Sequence, residues 1–257
     1  MEFAIARARV KPARARCGLG PFGVALTFLL LACAGGILAG KAALDPASVV
    51  AILLSRLPFL ETTSWWPASY ETILMEVRLP RVVMGALVGA GLSVAGATYQ
   101  GLFRNPLADP YLVGVAAGAS LGAALAMALP LPIFLYSMGV VQFSAFLAAL
   151  LTVGLVYSLA SVGRSTPVTT LLLAGVAVGA LANAATSFVM YSHGDKIAVI
   201  YSWMLGGFNV INWQHVTLVA PYVLVATAVI TLLGRLANIL QLDDEQAKTL
   251  GVNVELV

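Results

Sequence analysis

The residues able to do chemistry are few, and their spacing disfavours catalysis. His193 and His215 are the only histidines in the chain; they share no metal-ligand spacing with acids, and neither pairs with a serine inside an apolar run. Cys17 and Cys33 belong to no CxxC or Cys/His cluster, so neither a metal site nor a disulfide is indicated. There is no GxxxxGK[ST] phosphate loop: Gly163-Arg164-Ser165-Thr166 lacks the upstream glycine and the lysine, so any ATP must be handled by a partner. Within the apolar runs the polar side chains are Gln100, Asn183, Thr186, Ser187 and Thr227, while every Asp, Glu, Lys and Arg falls at or beyond a run's end. Mid-bilayer ionisable groups would mark a proton or ion path, so their absence argues against an ion-coupled secondary transporter. An intramembrane enzyme would need an adjacent nucleophile and base, and none is spaced usably. Asn183, about four turns into its run, either faces a water-filled path or bonds a neighbouring helix.

The elements that would position these side chains follow from composition. Hydrophobic residues make up 60% of 257 and charged residues 10%, against about 45–50% and about 25% in soluble domains. The surplus is gathered into six runs, 22–40, 82–103, 111–129, 138–160, 168–190 and 215–234, each close to the roughly 20 residues a membrane-crossing helix needs. Arg7, Arg9, Lys11, Arg14 and Arg16 precede the first run, which makes 1–21 a cytoplasmic tail rather than a nucleic-acid surface. Cys33 among small residues resembles a processing site, but the run continues to Gly40 at full spanning length, so the chain keeps its first span. The loops near Arg104 and Arg164 and the region 236–257 are then inside, and 41–80, 131–137 and 192–213 outside. The four basic residues Lys41, Arg56, Arg78 and Arg81 in or beside 41–80 run against the positive-inside trend.

Three helix starts are written as a capping residue followed by proline: Asp45-Pro46, Asp109-Pro110 and Thr166-Pro167. They predict an outer helix with Val49, Val50, Ile52, Leu53 and Leu54, a third span, and a fifth span. A second short outer helix over 70–77 should end at Leu79-Pro80, and Trp65, Trp66 and Tyr70 suit an interfacial belt. Small residues recur at four-residue spacing, Gly85/Gly89 and Ser93/Ala97, Gly114/Gly118/Gly122 and Gly175/Gly179, as close-packing stripes. The segment 191–213 reads as a partial or re-entrant helix, and Pro221 should kink the sixth span or break a backbone bond. After Arg235, Asp243 can cap with Gln246 reciprocating, and Gly251 supplies a left-handed stop. That is a short, deliberately ended cytoplasmic helix of the kind that docks on a partner.

The stretch Arg78-Leu-Pro-Arg81, Gly89-Ala-Gly-Leu-Ser-Val-Ala-Gly-Ala97, Gln100, Arg104-Asn-Pro-Leu-Ala-Asp-Pro110 and Gly114-Val-Ala-Ala-Gly-Ala119 resembles the FecCD/BtuC family. These are permease subunits of ATP-binding-cassette importers for iron–siderophore complexes, haem and cobalamin. The likeness continues through Leu171-Leu-Leu-Ala-Gly-Val-Ala-Val178, Trp203-Met-Leu-Gly-Gly-Phe208 and Asp244-Glu-Gln-Ala-Lys-Thr-Leu-Gly-Val252. It implies an all-α, polytopic transmembrane helix bundle of the type II importer kind, forming a single permease domain over 1–257. It further implies a homodimer in the cytoplasmic (inner) membrane, two ATPase subunits on the cytoplasmic side, an external substrate-binding protein, and a path along the dimer interface. The chain itself would bind no cofactor and catalyse nothing; ATP belongs to the partner.

By the same resemblance, Arg78 and Arg81 contact acids of the binding protein, and the fifth span, with Asn183, Thr186 and Met190, helps line the path. Arg104, Asn105, Pro106, Asp109 and Pro110 form a structural motif. Asp243, Asp244, Glu245, Gln246, Ala247, Leu250 and Gly251 belong to the coupling helix that receives the ATPase. Family members have about ten spans, so a chain of six is expected to be C-terminally truncated. Siderophore, haem and cobalamin importers share these motifs, and the substrate stays open among them.

Overall fold

The computed structural model describes residues 19–57, 64–130, 132, 139–161, 166–208 and 210–241, and these are helical with no strand among them. The basic tail before Leu19, Arg164 and the whole of 242–257, including every coupling-helix residue named above, lie outside the described residues. The chain divides into two compact units, Met1–Val82 and Val83–Val257.

In the first unit, α1 (Leu19–Leu38) is apolar around its whole circumference, and Phe22, Phe28 and Leu31 are each about two-thirds exposed. Such a helix is stable only in lipid. In α2 (Pro46–Ser55) the Asp45 carboxylate accepts the Ser48 N–H at 3.2 Å and Pro46 opens the first turn, as expected. Its inner face, Ser48, Val49 and Ile52, packs with Leu44, Trp66 and Leu74. An ion pair from Arg56 to Glu71 ties α2 to α3 (Ala68–Thr72).

The short outer helix does not stop at Leu79-Pro80. A π-helical stretch, Ile73–Arg78, joins α3 to α4 (Leu79–Leu102), giving one continuous helix of 35 residues. The Leu79 N–H reaches back five residues to Leu74 O. Widening the turn just before Pro80 accommodates a ring that lacks an N–H and crowds the preceding turn, so proline passes through the helix where ordinary α geometry would end it.

The second unit holds the rest of α4, a 3₁₀ turn (Pro110–Val113), α5 (Val115–Ala128), α6 (Val140–Ala160) and α7 (Val168–Ser192). A 3₁₀ turn (Gly194–Lys196) then leads to the short α8 (Ile197–Met204), α9 (Trp213–Leu232) and α10 (Gly234–Leu240). Five of the six expected spans are helices long and apolar enough to cross a membrane. The third is shorter. Asp109-Pro110 starts the 3₁₀ turn, and Gly114 at φ 80° separates that turn from the 14 residues of α5, which rise only about 21 Å against a hydrocarbon core of about 30 Å. Thr166 makes no cap: Pro167 itself takes the N-cap position and α7 begins at Val168. Within 191–213 the structure has one short helix, α8, and α9 runs on past Pro221.

α5 is the packing centre of this unit because its small residues admit backbone on two sides. A Cβ on Gly118 would overlap the Thr152 hydroxyl of α6, one on Gly122 the Ser144 carbonyl, and one on Gly175 of α7 the Leu112 carbonyl. Ala123, Ala124, Ala126 and Met127 of α5 close over Val141 and Ala145 of α6, with Ile200 of α8 fully buried among them. Gly85, Gly89 and Gly96 of α4 behave differently, with no atom within 4 Å of an added Cβ. Gly122→Ala should therefore lower the thermal midpoint in detergent through about 1–3 kcal/mol of overpacking. Gly89→Ala should leave that midpoint unchanged or raised.

Candidate functional site

Most polar groups inside the spans are already occupied by their own helix. The Thr186 hydroxyl, 1% exposed, donates to Ala182 O at 2.8 Å. Ser187 donates to Asn183 O at 3.0 Å, and Thr152 to Ala148 O at 2.8 Å. Such back-bonded hydroxyls satisfy themselves without water and offer a substrate little. Met190 packs against the Ala123–Met127 cluster. Of the three residues expected on the path, the fold thus turns Thr186 and Met190 inward and leaves Asn183 exposed.

Asn183 lies on a groove of about 470 Å³ between α5 and α7. Tyr111, Ala117 and Ser120 line one wall; Gly175, Gly179 and Asn183 line the other. Among the described residues bordering the groove, Tyr111 alone is ionisable. Close approach across the glycines brings the two helices together, and their missing side chains leave the space. Ser120 is a lining residue that sequence reasoning missed. Its signal was present, a hydroxyl two residues from each of two glycines of one stripe, but the stripe alone cannot say which face opens to a groove.

Two cations expected outside serve as helix caps. Arg78 is 6% exposed; its guanidinium donates to Ile37 O at 2.6 Å, Leu38 O at 2.9 Å and Ala42 O, closing the C-terminus of α1. A Cβ on Gly40 would lie 2.5 Å from Nη2 of that guanidinium, so glycine at 40 leaves the cap room that any other residue would take by displacing the guanidinium. Lys196 does the same for α5, its ammonium donating to Met127 O at 2.7 Å and Ala128 O at 3.2 Å. Both place positive charge at the negative end of a helix and satisfy carbonyls that have no partner within it. Arg81, one turn beyond Arg78, is half-buried. Of the expected docking pair, Arg78 is bound as a cap of α1.

The Arg104–Pro110 block forms a compact loop. Arg104 N–H donates to Gly101 O at 3.2 Å and Asn105 N–H to Gln100 O at 3.1 Å, the paired bonds of a Schellman stop on α4. Arg104 holds the left-handed position at φ 50° where glycine is usual, at roughly 1–2 kcal/mol. Asn105 Oδ1 accepts Leu107 N–H at 2.9 Å, and Asp109 Oδ1 accepts Tyr111 N–H at 2.8 Å. These two short turns aim the chain into α5. Among the described residues no group of three His, Cys, Asp or Glu could hold a metal.

A model of the FecCD transport family matches residues 26–257. The chain is 42% identical over 189 residues to the cobalamin import system permease protein BtuC of Halobacterium salinarum, covering 74% of this chain and 50% of that protein. It is 40% identical over 188 residues to the hemin transport system permease protein HmuU of Yersinia pestis, covering 71% and 55%. It is 32% identical to the molybdate import system permease protein MolB of Haemophilus influenzae, covering 72% and 54%. The chain spans about half the length of the curated relatives it matches. Among solved structures, an inward-facing metal-chelate-type ABC transporter superposes with a TM-score of 0.71 at 27% identity, over 91% of this chain and 68% of that one.

Arg78→Gln should lower the thermal midpoint of the detergent-solubilised chain by several degrees, since each buried carbonyl left without a donor costs about 1–3 kcal/mol.

Proposed function

This chain belongs to the FecCD transport family, and on that premise we propose that it forms a permease subunit of an ATP-driven importer that moves a metal chelate across the cytoplasmic membrane. The observation that carries this reading is the family match along 26–257, with the α5–α7 groove as its physical counterpart. Ser120 and Asn183 supply the groove's neutral hydrogen-bonding groups, and glycines and alanines supply much of the rest. Such a wall lets a bulky, polar, largely neutral chelate slide without being held, because a strong fixed charge would trap it. Relatives are named for cobalamin, hemin, Fe(3+)-citrate and molybdate. A corrinoid, a haem or a ferric siderophore fits the same description.

The energy source then lies outside the chain. ATPase subunits engage the coupling region 243–252 from the cytoplasm, and their motion reaches the path mechanically. The permease works as a homodimer with the N-terminus inside, so that the groove faces the path between two copies. An external binding protein delivers the chelate, its acids contacting Arg81. An ion-coupled carrier finds no support in a groove whose described lining residues include no Asp, Glu, Lys, Arg or His.

Affinity purification of the chain, co-expressed with the ATPase encoded beside it, tests the coupling assignment. The ATPase should be retained, and Asp243→Ala with Gly251→Val should release it without loss of the permease from the membrane. Retention unaffected by both changes would remove 243–252 from the interface. Separately, Arg81→Glu should weaken capture of the binding protein by roughly tenfold, the loss of one charge-assisted contact at an interface, with ATPase retention unchanged. Equal capture by wild type and variant would end the docking role.

A further inference from the structure

Helix α2 has two apolar faces, and among the described residues only one of them is packed. Ser48, Val49 and Ile52 turn inward onto the cluster of Leu44, Trp66 and Leu74. On the opposite side, at the i, i+4, i+7 spacing of a single helical face, Val50, Leu54 and Leu57 are 55%, 39% and 49% exposed. Ala47, exposed as well, extends the stripe by a turn. Arg56, the C-cap of α2, lies off this stripe and is held by Glu71. A contiguous apolar stripe on so short a helix marks a contact surface.

The depth of α2 says what meets that surface. Ile37, in the last turn of α1, packs against the cluster under α2. The Arg78 guanidinium fastens the same end of α1 through Ile37 O and Leu38 O, and a Cβ on Gly36 would lie 3.0 Å from Val82. This is where α1 leaves the hydrocarbon, for the helix is apolar throughout and the exposed Lys41 is the first charged residue after it. Packed helices stand about 8–10 Å apart. The headgroup layer is roughly 5–8 Å deep, half the difference between a whole bilayer and its hydrocarbon core. A helix resting on the last turn of α1 is therefore at the level of that layer, and the lipid-facing surface of α1 runs up to it.

We propose that α2 is an interfacial anchor and that its outer face is covered by the lipid of the leaflet in which α1 ends. Ala47, Val50, Leu54 and Leu57 insert at the boundary between headgroups and acyl chains. Trp65, 63% exposed and edge-on to Trp66 with 6.0 Å between ring centroids, stands at the rim of the cluster with its indole among the headgroups. This accounts for apolar residues on both sides of α2. The inner face joins α1 to the π-helical stretch, and the outer face holds that joint at the membrane surface.

Spin labelling of the full chain in liposomes tests the assignment. On a background of Cys17→Ser and Cys33→Ser, nitroxides are attached through Val50→Cys, Leu54→Cys or, as a deep reference in α1, Leu31→Cys. Collision with oxygen, which partitions into lipid, is compared with collision with a water-soluble nickel chelate. Leu31 lies about 10 Å along the axis from Leu38, so both stripe labels should read about 10 Å shallower than the Leu31 label while staying below the aqueous limit for nickel. Nickel collision as frequent as for a free label in water would put the stripe in solvent and overturn the anchor. Little collision with either reagent would mean that protein covers the face, a second copy or a partner subunit, and would overturn it equally. A label at Leu57→Cys should then gain nickel collision several-fold when Val50→Gln and Leu54→Gln are combined, because the stripe loses the apolar area that holds it down. An unchanged value would show that the inner cluster alone sets the height of α2, and the anchoring role would fall.

Discussion

Inside a bilayer a backbone N–H or C=O cannot turn to water, and the rest of this structure follows from how that constraint is met. Within a helix the problem solves itself; at the ends it does not. The ends of α1 and α5 are closed by side chains from other parts of the chain, Arg78 and Lys196, which bring a full charge to carbonyls that would otherwise be unmet. Hydroxyls within the spans obey the same rule. Thr27, Ser93, Thr98, Thr152, Thr186, Ser187 and Thr231 each bond the carbonyl four residues earlier. The polar inventory of the spans is thus largely structural, which is why the groove has so few hydrogen-bonding groups to present.

Association of the helices rests on shape. Lipid tails are as apolar as leucine, so burial of leucine against leucine gains little, and close contact of small residues takes over. The glycines of α5 and α7 let backbones approach, and the same missing side chains leave the α5–α7 groove open beside the contact. One compositional feature thereby supplies both adhesion and space. The open glycines of α4 lack such a counterpart among the described residues.

This division of labour suits the transport function proposed above. Charged groups concentrate at the ends, where they cap helices or offer contacts, and the walls between stay neutral. On the function proposed above, a wall without fixed charge neither traps a polar chelate nor titrates with it. The Schellman stop, with its two short turns, is a compact link between α4 and α5.

The spans were legible in the sequence because the thickness of hydrocarbon sets a length that any apolar run can be measured against, and Asp45-Pro46 was legible because a cap is a local bond. The same locality misled at Leu79-Pro80, where a π-helical stretch two residues upstream absorbed the proline, and at Thr166, where the helix began one residue later than the pattern implied. The third run counted as a span by composition, but Gly114 divides it, and only the backbone angle says so. Asn183 was found from its polarity in an apolar run, whereas Thr186 and Met190 share its helix and face elsewhere, since a sequence gives the angle between side chains and not which angle faces a neighbour. The role of Arg78 could not be read at all: its partners lie some forty positions away at the end of α1. Composition and periodicity determine which segments enter the membrane, because each segment meets the lipid by itself; which charges are bound as caps and which remain for partners is decided by tertiary structure, because a cap is made between chain segments that only folding brings together.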